Sequence, residues 1–78
     1  ALPVTLHILP RIGSEREIAQ ALPECWNEGE HLVLACPQDA KLATLARIMA
    51  LGPVVVDLEV LPPSLEDIYS HFSKRDGQ

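Results

Sequence analysis

Prolines divide this chain before any other feature does. Pro10, Pro23, Pro37, Pro53 and the Pro62-Pro63 pair each close an apolar-patterned stretch. Proline has no backbone N–H to give to a helix or a strand ladder, so each one sets a stop. What fits between them is a series of short strands and short helices. The 78 residues allow one domain only, residues 1–78, and at 47% hydrophobic and 22% charged they can build a packed core. A chain this short hides only about 60–65% of its unfolded surface, so added support from a partner or a longer parent chain is expected.

Val4-Thr5-Leu6-His7-Ile8-Leu9 alternates with period two and reads as a strand with Val4, Leu6 and Ile8 on one face. Ser14-Glu15-Arg16-Glu17 has the capping-box pattern, in which the Ser14 hydroxyl accepts from the Glu17 N–H. A short helix should follow, with Ile18, Ala21 and Leu22 at helical spacing, until Pro23 ends it. A short edge strand is expected around Cys25 and Trp26, with a tight turn through Asn27 to Gly29. His31-Leu32-Val33-Leu34-Ala35-Cys36 is a clear strand.

Asp39 is placed to cap a second helix whose Leu42, Leu45, Ala46, Ile48 and Met49 make one stripe, closed by Gly52-Pro53. Val54 to Val60 forms the last strand. Ser64 then caps a final helix with Glu66 and Asp67 in its first turn, where the helix dipole favours negative charge. Its Leu65, Ile68, Tyr69 and Phe72, at i, i+3, i+4 and i+7, form an apolar stripe that needs a cover. Residues 73–78 are polar and read as a frayed tail.

The order strand, helix, short strand, strand, helix, strand predicts an α+β fold, a ferredoxin-like βαββαβ sandwich with an extra C-terminal helix. The first and third strands would be central and the second an edge. With Leu6, Ile8, Leu32, Leu34, Val56 and Leu58 toward the helices, His7, Leu9, His31, Val33, Val55, Asp57 and Glu59 take the opposite face. A three-strand layout without the Cys25–Trp26 strand is the main competitor.

Charge and motifs remove most chemistries. Eleven acidic against six basic residues give a net charge of −5, the wrong sign for nucleic acid or an anionic membrane. Apolar runs are too short to span a bilayer, and no basic stretch leads an apolar block at the N-terminus. Cys25 and Cys36 lack C-x-x-C spacing and read as reduced thiols of a cytoplasmic protein. His7 and His31 with Asp57 or Glu59 could superficially offer metal ligands, but nothing in their spacing forms a motif, and solvated polar residues are normal on an open sheet face.

Ser14 and Ser64 are explained as helix caps rather than nucleophiles, and the glycines stand singly, so no phosphate cradle can be built. One Trp, one Tyr and one Phe are too few for an RNA-stacking sheet; Trp26 reads as a cover on one end of the core. No catalytic, cofactor-binding or metal-ligating residue is assigned.

The segment Leu61-Pro62-Pro63-Ser64-Leu65-Glu66-Asp67-Ile68-Tyr69-Ser70-His71-Phe72 resembles the closing signature of many ATP-binding subunits of ABC transporters. That signature is a proline, then S-L-E-D, an aliphatic residue and an aromatic one, with Tyr69 here where phenylalanine is commoner. The upstream order of elements also looks like the accessory domain that follows the ATPase core in those subunits. The resemblance implies a C-terminal fragment of a longer chain, an accessory or regulatory domain at the cytoplasmic face of a membrane transporter. Its partners would be the ATPase core, through it the transporter's membrane subunit, and possibly a second protomer. ATP and magnesium would belong to the ATPase core, since no P-loop or LSGGQ-like run occurs in this segment. Leu65, Ile68, Tyr69 and Phe72 would be its packing residues. An alternative from fold alone is a stand-alone small-molecule-sensing domain using the crevice between the sheet edges of two protomers.

Overall fold

The alternation of the first segment sets the sheet. In the computed structural model, which describes residues 2–63, β1 (Val4–Pro10) alternates between buried and half-buried side chains along its whole length. Antiparallel β3 (His31–Cys36) lies on one side of it and β4 (Val55–Leu61) on the other, and β2 (Trp26–Glu28) pairs with β3 at the outer edge. The order is β2-β3-β1-β4, so β1 and β3 are central and β2 is an edge, as the element order suggested. The described residues are thus α+β, with a four-stranded antiparallel sheet and two helices, α1 (Glu15–Ala21) and α2 (Lys41–Met49). The expected final helix, with Ser64, Leu65, Ile68, Tyr69 and Phe72, and the tail beyond it lie outside the described residues.

Register explains the core. Val4, Leu6 and Ile8 stand opposite Cys36, Leu34 and Leu32, and all six are buried in one cluster with Ile18 of α1, Leu22 at its C-terminal end, Ile48 of α2 and Val54. Burying each large aliphatic side chain contributes roughly 1.5–3 kcal/mol before entropy is subtracted. The β2–β3 turn is tight: Glu28 pairs with His31, leaving Gly29 and Glu30 as the loop, which shares Gly29 with the expected Asn27 to Gly29 turn but ends one residue later. Gly29 has φ +61° and Glu30 is not left-handed, a combination that fits a type II′ turn with glycine at its first central position.

Three expectations are corrected. Ser14 stands at the N-cap of α1 without a capping hydrogen bond, because its backbone (φ −105°, ψ 6°) is outside the extended region from which a hydroxyl reaches the helix N–H groups. The Glu15 carboxylate instead accepts the Gly13 N–H at 3.1 Å.

Asp39 does not cap α2, since a short 3-10 turn, Gln38–Ala40, precedes the helix and Ala40 takes the cap position. The helix then turns Thr44 and Ile48 inward with Leu45 half-buried, leaving Leu42, Ala46 and Met49 outside. Apolar residues surround this helix almost completely, so periodicity alone did not select the face. The inward Thr44 hydroxyl is satisfied by donating to the Ala40 carbonyl at 2.9 Å.

In β4 the register slips: Leu9 pairs with Asp57 but Pro10 with Val55, so Val56 is the extra residue of a bulge. Val55 therefore packs against the core and Val56 is 59% exposed, the reverse of the expected inward Val56 and outward Val55. The slip falls at Pro10, which has no N–H to hold the ladder.

Candidate functional site

The sheet face away from the helices carries one continuous row from edge to edge. Trp26 pairs with Val33, Val33 with His7 and His7 with Glu59, and paired residues share a face. Val33 is fully buried yet stands apart from the helix-side core, flanked in its row by Trp26 and His7. Trp26 thus belongs to this face and not, as expected, to one end of the core; its indole N–H donates to Glu28 at 2.8 Å.

His7 and His31 meet edge to face, with ring centroids 5.7 Å apart. Asp57 is turned to its own backbone, accepting the Leu58 N–H at 2.9 Å. The topology therefore brings the two imidazoles together, with Glu59 beside His7 and Glu28 beside His31 in register. Among the described residues no group of three or more His, Cys, Asp or Glu side chains is arranged to hold a metal ion.

Neither cysteine is set up as a nucleophile. Cys36 is buried in the core and Cys25 is half-buried against it, both as free thiols. Burial, then the neighbouring Glu24 charge, pushes the Cys25 thiol above its ordinary pKa, and a thiol held protonated is a poor nucleophile.

At one end of the sheet the β1–α1 turn, the β2–β3 hairpin and the bulged start of β4 surround an open groove of about 570 Å³. Leu9, Ile12 and Val56 form much of its apolar wall, and Arg11, Glu15 and Glu30 bring charge to it. The Arg11 N–H donates to the Val54 carbonyl at 2.7 Å, fixing the turn beside β4, and Ile12 next to it is 96% exposed. Sequence reasoning did not find this groove. Its one signal was Ile12, an apolar residue inside a Pro-Arg-Ile-Gly turn that no core pattern needed.

A second exposed feature is the outer side of α2, where Leu42 is 77% and Met49 64% exposed with Ala46 between them. These three positions follow i, i+4 and i+7 and so share one side of the helix, and α2 itself carries no acidic residue. No family model, curated protein or solved structure matches the chain.

Proposed function

We propose that this chain is a non-catalytic accessory domain of an ABC transporter ATP-binding subunit, acting by contact with the ATPase core of its parent chain or with a second protomer. The Pro63-Ser64-Leu65-Glu66-Asp67-Ile68-Tyr69 ending is the observation that carries this reading. The strand order supports it: β2-β3-β1-β4, with every neighbouring pair antiparallel, is what a ferredoxin-like βαββαβ chain produces when each helix crosses over one intervening strand. A contact role is further supported by the Leu42, Ala46 and Met49 side of α2, since adjoining exposed apolar residues of this kind are a common feature of docking surfaces.

On this reading the domain lies in the cytoplasm at the inner face of the membrane, held there by the transporter. No helix among the described residues is long and apolar enough to cross a bilayer. ATP and magnesium act in the ATPase core, and this domain contributes packing surface: the α2 side and the Leu65, Ile68, Tyr69 and Phe72 stripe of the sequence. The coding sequence upstream of Ala1 provides the test. An in-frame core carrying G-x-x-x-x-G-K-[ST] is expected, and a reading frame extending upstream without one refutes the proposal.

A further inference from the structure

The groove at the hairpin end of the sheet combines features that a contact role does not require. It has an apolar wall, one cation and two carboxylates, drawn from segments far apart in sequence. Its volume of about 570 Å³ falls within the range of small-molecule sites, roughly 300–1,000 Å³. We infer that it binds a free α-amino acid with a branched aliphatic side chain.

Charge decides the class of ligand. Arg11 is the one cation of the lining and stands at an exposed position, and the ion pair seen among the described residues, Glu24 with Arg47, does not involve it, so we take its guanidinium as the partner of a ligand carboxylate. Guanidinium and carboxylate form two parallel charge-assisted hydrogen bonds, which fix orientation as well as adding affinity. One oxygen of Glu15 is engaged by the Gly13 N–H. That leaves its other oxygen and the exposed Glu30 carboxylate for an ammonium group. A simple carboxylic acid would face two like charges in the same lining, and a simple amine would leave Arg11 unused. A zwitterion satisfies both signs. Leu9, Ile12 and Val56 then supply the apolar surface for its side chain.

The test is an amide chemical-shift titration of the 78-residue chain with L-leucine, 4-methylpentanoate and isoamylamine, the last two lacking the ammonium and the carboxylate respectively. Expected are saturable shifts at Arg11, Ile12, Gly29 and Glu30 with L-leucine, and binding at least about tenfold weaker for either control. Arg11→Gln and Glu30→Gln, both at exposed positions, should each weaken leucine binding about tenfold while leaving the melting temperature unchanged. Isoamylamine binding as tightly as leucine, shifts that do not saturate, or shifts centred away from the groove would each overturn the inference. None of these outcomes bears on the transporter reading, which the upstream sequence tests separately.

Discussion

Arg47 on α2 grips Glu24, just beyond α1, with both terminal guanidinium nitrogens, at N···O separations of 2.5 and 3.1 Å. This ion pair ties together the chain segments on the helix side of the sheet. The hydrogen bonds from Arg47 hold the Glu24 carboxyl below its ordinary pKa of 4.5, and the same bonds raise Arg47. For a depressed carboxyl, the stabilisation is present above the unfolded-state pKa and is lost as pH falls through the folded-state value. Glu24→Gln should therefore lower the melting temperature slightly at pH 7, and the difference should shrink in high salt and as pH falls below 4.5, vanishing once Glu24 is protonated in the folded state as well. Both side chains are substantially exposed, so water screening keeps the effect small. A variant whose deficit persists in strong acid would show that the carboxylate acts through something other than Arg47.

Glu24 also governs its neighbour. Burial is the larger cause of the raised Cys25 thiol pKa and the Glu24 charge the second. Cys25 should react slowly with iodoacetamide at neutral pH and faster as pH rises. Glu24→Gln should speed it modestly, because the thiolate then forms beside one less negative charge. Cys36, buried among core side chains, should react only on unfolding. Mass spectrometry of partially alkylated protein reads both sites, and Cys36 labelling ahead of Cys25 would contradict the packing described.

Much of this architecture is visible in the sequence because local rules and the global fold agree. Alternation in Val4, Leu6 and Ile8 identified the inward face of β1, and the prolines gave the ends of α1 and the long strands to within two residues, whereas α2 stops at Met49, four residues short of Pro53. What stayed hidden depends on neighbours. The outward turn of Val56 comes from a register slip against β1, which a strand read by itself cannot reveal. The face of α2 was ambiguous because Leu42, Ala46 and Met49 compete with Leu45 and Ile48 for the same periodicity, and only the sheet decides between them. The groove needs two turns and a bulge to meet, so no single segment announces it.

Gly52 adopts φ +76° where the chain leaves α2, and an added Cβ would meet nothing within 4 Å. The cost of Gly52→Ala is therefore backbone strain without a clash, roughly 1–2 kcal/mol for a left-handed L-residue. Urea denaturation should show a lower midpoint with an unchanged slope. An unaltered midpoint would mean that the turn relaxes into another conformation at no cost.

The two sides of α2 make opposite predictions from residues six positions apart. Ile48 is fully buried against the sheet, so Ile48→Ala removes packed volume and should cost roughly 2–5 kcal/mol, a large part of the stability of so small a domain. Leu42 is 77% exposed, and Leu42→Ala should change stability by about 0.5 kcal/mol or less. Leu42→Glu separates the contact role from mere solvent exposure, because it places a charge beside Ala46 and Met49 without touching the core. The variant should melt with the parent domain and lose affinity for the ATPase core, or for a second copy, as measured by sedimentation of the mixed components. Association unchanged by Leu42→Glu and by Met49→Glu would remove this side of α2 as the docking surface. A large fall in melting temperature for Leu42→Glu would instead show that the leucine is covered within the domain itself.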